Sequence, residues 1–192
     1  MGFRVVVLVS GSGTLLQALL DAVEAREADA EIVAVVADRQ DCGGLERARR
    51  AGIPAIGHPL GKGADRDAWD AELAGLIERY SPDLIASAGF MKLLGRHVLG
   101  RFGGRIINTH PALLPSFPGM HGPRDALAYG VKVSGATVFW VDEGVDTGRI
   151  LAQEAVPVFD GDTVEELHER IKVVERRLLV DVVRTLAAQK GR

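Results

Sequence analysis

Asn108 and His110 stand two residues apart at the end of the run Arg105-Ile106-Ile107, and on a strand that spacing turns both side chains to one side. An amide donor and an imidazole can then meet at one reacting atom. Farther on, the run Gly135 to Val141 leads into Asp142-Glu143-Gly144-Val145-Asp146-Thr147-Gly148, which supplies a carboxylate able to fold back on the histidine. Asn, His and Asp with no serine or cysteine nucleophile beside them suit a reaction in which the substrate itself attacks while the protein stabilises an oxyanion and moves protons. The competing reading is that Asn108 fastens a turn and His110 is a satisfied core residue.

Such residues need a scaffold. Continuous β-branched runs alternate with amphipathic segments, the pattern of a mostly parallel sheet covered by helices on both faces. Strands are predicted over Phe3–Val9, Glu31–Ala37, Pro54–Gly57, Leu84–Ala88 and Arg105–Thr109. Helices are predicted over Thr14–Arg26, Gly44–Ala51, Arg66–Tyr80 and Leu94–Phe102. A proline-rich loop through Pro111, Pro115, Pro118 and Pro123 follows, with a cis bond expected at Leu114-Pro115, then a short helix over Arg124–Tyr129. Two longer strands, Val133–Val141 and Arg149–Val158, suit antiparallel pairing, and Thr163 with Glu166 forms a capping box for a closing helix to about Lys190. The fold class is therefore α/β, a single domain over residues 1–192: a Rossmann-like lobe to about residue 104, and from about 105 a lobe with the catalytic loop and partly antiparallel strands.

Ligands of open α/β sheets lie outside the carboxyl ends of the strands, where Ser10, Gly89 and Asn108 all fall. Ser10-Gly11-Ser12-Gly13-Thr14 joins the first strand to the first helix and reads as a phosphate cradle, its hydroxyls assisting the backbone N–H groups. It lacks the third glycine of the dinucleotide fingerprint, since Leu16 stands there. Asp38, which would otherwise suggest a ribose-binding acid, is read as a surface loop residue. His58 and His97 fall on surface elements, no two histidines have metal-ligand spacing, and no metal is expected. One cysteine, Cys42, excludes an internal disulfide, and a net charge of −3 offers no case for nucleic acid or an anionic membrane as partner. The first apolar run is too short for a membrane span and lacks a cleavage pattern, so a cytoplasmic location is expected.

Taken together, Ser10-Gly11-Ser12-Gly13, Ala88 to Leu94, Ile107-Asn108-Thr109-His110-Pro111 through Leu113-Leu114-Pro115 to Pro118-Gly119-Met120-His121, and Val141 to Gly148 resemble the phosphoribosylglycinamide formyltransferase family along the whole chain. The resemblance implies transfer of a formyl group from the co-substrate 10-formyltetrahydrofolate to the amine of glycinamide ribonucleotide, in purine biosynthesis. It also implies Asn108, His110 and Asp146 as the catalytic set. Gly13, Thr14 and Leu15, with Lys172, Val173, Val174 and Glu175, match the ribonucleotide site, Glu175 facing the ribose hydroxyls. Arg66, Met91, Lys92, Leu93, Leu94, Asn108, Asp142, Glu143, Gly144, Val145 and Asp146 match the folate site. Leu15 and Lys92 depart from the Asn and Arg frequent in the family. A related deformylase, which hydrolyses the same formyl-folate with the same three residues, is the alternative; its family lacks the segment seen here at Pro118 to His121. A regulatory module that has kept the fold without turnover is a third reading, and a homodimer is left open.

Overall fold

A computed structural model of the chain describes residues 2–190; Met1, Gly191 and Arg192, at the ends of the expected 1–192 domain, lie outside the described residues. Among the described residues, seven strands and six helices follow in the order β1(Phe3–Val9), α1(Thr14–Glu24), β2(Ala30–Ala37), α2(Gly43–Arg50), β3(Ala55–Gly57), α3(Arg66–Glu78), β4(Leu84–Ser87), α4(Arg96–Phe102), β5(Ile106–His110), α5(Gly122–Tyr129), β6(Val133–Trp140), β7(Ile150–Pro157) and α6(Val164–Lys190). They build one continuous sheet in the order β3-β2-β1-β4-β5-β6-β7. The first five strands are parallel; β6 and β7 run antiparallel to their neighbours.

Because successive residues of a strand face opposite ways, each buried strand feeds two cores. Val5, Val7, Val9 and Ile107 pack under α1 and α6, whereas Val6, Leu8, Ile85 and Ile106 pack under α3 and α4. That accounts for the unbroken apolar runs of β1 and β2, which are covered on both sides. The long α6 buries Leu167, Ile171, Leu178, Leu179, Val182 and Val183 along one stripe. Its start is closed by the expected capping box, in which the Thr163 N–H donates to Glu166 Oε2 at 2.8 Å and the Glu166 N–H to Thr163 Oγ1 at 3.2 Å.

Helix α4 begins at Arg96, two residues later than the sequence suggests. The cause is Asp70 on α3, only 2% exposed, whose carboxylate accepts from the N–H groups of Gly95 (2.6 Å), His97 (2.8 Å) and Val98 (3.2 Å) and so fixes where the helix starts. Residues 91–94 thereby stay out of the helix as an extended lip. The bond between Leu114 and Pro115 is cis.

Candidate active site

In register across the sheet, Leu8 pairs with Ser87, Ser87 with Asn108 and Asn108 with Phe139. Two residues beyond that line lie Ser10, Gly89 and His110, so the ends of β1, β4 and β5 open side by side within about 10 Å. Asn108 and His110 face the α3/α4 side, together with Ile106. Thr109 faces the other way, and its hydroxyl hydrogen-bonds Glu175 of α6. The strand β5 therefore presents chemistry to both layers.

His110 is only 4% exposed, its ring anchored at Nε2 and faced by a carboxylate at Nδ1. Nε2 lies 2.7 Å from the Phe117 carbonyl oxygen and Nδ1 lies 3.5 Å from Asp146 Oδ2. Both neighbours are acceptors, so each faces the ring as a partner for an N–H. Nε2–H is committed to Phe117, while the long Nδ1 contact leaves that N–H free to turn to an incoming oxygen. Asn108 is half-buried, and its side chain makes no hydrogen bond among the described residues.

Asp146 has a second duty, since Oδ2 accepts the Gly119 N–H at 2.7 Å and clips the proline-rich loop to the loop that follows β6. Its backbone is left-handed, φ 55°. Within the same loop, Asp142 Oδ1 accepts from the Gly144 N–H (3.0 Å) and the Thr147 hydroxyl (2.7 Å). The proline-rich loop is held from below by Thr137, fully buried on β6. Its hydroxyl donates to Ala112 O at 2.7 Å and accepts from the Leu114 N–H at 3.1 Å and from Gln153 Nε2 at 3.0 Å. Gly122, opening α5, lies against the site, because a Cβ there would stand 3.0 Å from Pro111 O and 3.4 Å from His110 Nε2. None of Thr137, Gln153, Phe117 and Gly122 is among the site residues read from the sequence.

On the opposite layer, α1 starts at Gly13 with no side-chain cap, which leaves the first-turn N–H groups at Thr14 and Leu15 as donors for an anion. The loop is braced by α2: the Gly44 N–H donates to Gly11 O at 3.0 Å and Arg47 Nε to Ser12 O at 2.8 Å. Gly13 itself has φ 72° and approaches so closely that a Cβ would stand 2.5 Å from the Gly44 Cα. Gly13→Ala is therefore expected to lower the melting temperature as well as weaken any ligand of this loop, and a Gly13 variant that melts like wild type in a thermal scan contradicts the packing role. The Ser10 hydroxyl, expected to assist the cradle, points elsewhere: it accepts the Met91 N–H at 2.7 Å. A recess of about 700 Å³ between α1 and α6, lined by Thr14, Arg47, Val173 and Arg176 among others, adjoins this loop.

Glu175 is 4% exposed, and burial pushes its carboxyl up to about 7 against the opposing pull of the Thr109 hydroxyl and the Lys172 and Arg176 charges. Lys172, one turn earlier, pairs with Glu169 at 2.6 Å, and Val173 projects into solvent. A carboxyl whose folded value is raised keeps its proton longer in the folded chain than in the unfolded one. Its contribution is fully favourable below about 4.5 and is lost as pH climbs through about 7, a swing of about 3 kcal/mol. Urea titrations at pH 5 and pH 8.5 should show most of that loss in wild type and little of it in Glu175→Gln; equal losses in the two proteins refute it.

The folate-side candidates gather on the α3/α4 face. Arg66 donates to Leu93 O at 2.5 Å, while Met91 and Leu93 hold their side chains in solvent, 59% and 62% exposed. Trp69 bridges this lip to the β3 side, stacked between His58 (5.2 Å) and Phe90 (6.5 Å). His58 is thus part of a ring stack, and His97 pairs with Asp67 at 3.2 Å. Asp38 corrects the sequence reading. It is no surface acid but 7% exposed, beneath Lys92, because β2 runs one strand in from the edge and ends under the lip.

Residues 3–183 match the family described as Formyl transferase. A phosphoribosylglycinamide formyltransferase of Mycobacterium tuberculosis is 56% identical over 184 residues, 96% of this chain and 85% of that protein. The crystal structure of glycinamide ribonucleotide transformylase 1 from Symbiobacterium toebii superposes with a TM-score of 0.95 at 46% identity, covering all of this chain and 89% of that one. A formyltetrahydrofolate deformylase from Pseudomonas syringae superposes with a TM-score of 0.90 at only 27% identity, covering 98% of this chain and 62% of its own.

Proposed function

We propose, from the premise that this chain belongs to the formyl transferase family, that it transfers the formyl group of 10-formyltetrahydrofolate to the amine of glycinamide ribonucleotide, a step of purine biosynthesis in the cytoplasm. The observation that carries the reading is the pairing of Asn108 and His110 at the end of β5, with Asp146 beside the histidine. The Asn108 amide and the His110 Nδ1–H are two donors on one face, where an oxyanion can be held.

In this reading the amine nitrogen attacks the formyl carbon, a C–N bond forms and the carbonyl oxygen becomes an oxyanion. Asn108 and His110 donate to it, each such donor lowering the barrier by roughly 3 kcal/mol in comparable sites. Collapse breaks the bond from carbon to the folate nitrogen, which takes up a proton while the amine gives one up. Asp146 accepts and returns protons at this point through Oδ2, which lies beside the ring. Remote contacts fix the reactants: the phosphate at the N–H groups of Gly13, Thr14 and Leu15, the ribose at Glu175, and the folate along Met91 to Leu94, Arg66 and the loop Asp142 to Asp146.

Hydrolysis of the same formyl-folate is a second reading, favoured only by the deformylase fold likeness. One experiment separates them. The folate absorbance change and the formylated product are followed with glycinamide ribonucleotide present, then with water as sole acceptor. Product that forms only with the ribonucleotide supports transfer, and formate released at the same rate without it overturns transfer.

A further inference from the structure

Two polar side chains at the ends of adjacent strands take no part in the reaction just described. Val9 of β1 pairs with Ala37 of β2, so Ser10 and Asp38 follow side by side, about 5 Å apart. Alternation turns both to the α3/α4 face, where their predecessors Leu8 and Val36 already lie. This is the face of Asn108 and His110, not the one on which α1 begins. Both are sealed, Ser10 at 2% and Asp38 at 7% exposed.

Each holds the lip. Ser10 Oγ accepts the Met91 N–H at 2.7 Å, and Asp38 Oδ2 lies 3.8 Å from Lys92 Nζ. Asp38 Oδ1 has no hydrogen-bond partner among the described residues, so Lys92 is the charge set against it. A buried carboxylate with one ammonium at that distance contributes little stability, because losing its hydration offsets the attraction. Fold stability therefore gives no reason for an acid here; placing Lys92 does. The same lip is tied at Leu93 O by Arg66 and at Gly95 N by Asp70, and between these ties it carries two large apolar side chains into solvent. A main chain fixed at three points, with the Lys92 side chain set at a fourth and Met91 and Leu93 exposed, is a preorganised contact surface.

We propose that Ser10 and Asp38 are positioning residues for the folate: they fix Met91–Leu94 through the Met91 N–H and Lys92, and Ser10 does not bind phosphate although it opens the phosphate loop. The identity of the ligand rests on the formyl-transfer reading.

The test compares Ser10→Ala, Asp38→Asn, Lys92→Met and the double variant Asp38→Asn/Lys92→Met with wild type. KM is measured for both substrates, and Kd for tetrahydrofolate by calorimetry. Loss of one such buried tie should raise the folate KM and the tetrahydrofolate Kd about tenfold, with the ribonucleotide KM unchanged. Asp38→Asn should add nothing in the Lys92→Met background, since it acts through that ammonium. A parallel rise in the ribonucleotide KM for Ser10→Ala, or full additivity of the Asp38 and Lys92 changes, overturns the proposal. If Asp38→Asn does not fold, Lys92→Arg must keep the wild-type tetrahydrofolate Kd while Lys92→Met loses it, and equal values for the two overturn it. A wild-type chain that binds tetrahydrofolate but transfers no formyl group removes the activity reading alone, and the Kd values still decide this one. A chain that binds no folate removes both.

Discussion

Asn108→Ala should lower kcat by about 10²–10³-fold while both KM values and the melting temperature stay near wild type. The side chain stands at the end of β5, half-buried, with no hydrogen bond among the described residues, so its removal unties nothing in the free protein. What it removes is a donor aimed where negative charge develops, and that charge exists only in the transition state. Such an interaction acts on kcat and leaves ground-state affinity alone. If Asn108 were instead a turn fastener, the alanine variant would melt earlier and turn over normally once folded. A thermal scan beside a steady-state assay separates the two outcomes.

The second large effect is at Asp146, where two replacements pull apart two duties. Asp146→Asn keeps an oxygen for the Gly119 N–H and tolerates φ 55°, because asparagine adopts the left-handed region readily. It loses the charge beside His110 and the proton acceptor. Turnover should fall by about 10²-fold or more with the fold intact. Asp146→Ala loses the clip as well and strains the backbone by roughly 1–2 kcal/mol, so it should also melt lower and bind folate more weakly as the proline-rich loop loosens. An asparagine variant as active as wild type, beside an inactive alanine variant, would falsify the electrostatic role and leave Asp146 as a clip.

Much of this architecture is written locally. Alternation and helical spacing place every strand and helix within a few residues, and the two-residue step from Asn108 to His110 fixes their shared face before any tertiary contact is considered. The parts that escaped depend on distant partners. Asp38 reads as a loop acid because nothing near it in the chain says that Lys92, on another strand's loop, will cover it. Ser10 reads as part of the glycine-rich cradle because its neighbours belong there, yet strand alternation turns its hydroxyl to the opposite layer, toward Met91. Two signals were available. Asp70 lies on the apolar stripe of α3 with Leu73, Ala74 and Ile77, at the spacing of a buried face, so a carboxylate there needs donors from another element. Thr137 lies between Ala136 and Val138 in a fully buried stretch of β6, and a hydroxyl so placed must be satisfied by something. Neither signal names its partner, which is why Ala112, Leu114 and Gly95 emerge only from the fold.

Helix α6 packs against α1 and reaches β2 as well as β5, β6 and β7. On the ribosome this order matters. The apolar side of α1, with Leu16 and Leu19, leaves the exit tunnel long before the helix that covers it, a delay of roughly 10–30 s at ordinary elongation rates. During that interval β1, β2 and α1 can pack together, but the surface that α6 will cover stays bare. The nascent chain should therefore be a client for holding chaperones until Leu167 to Val183 emerge, and slowing translation ahead of Val164 should lengthen its exposure to aggregation rather than help it fold.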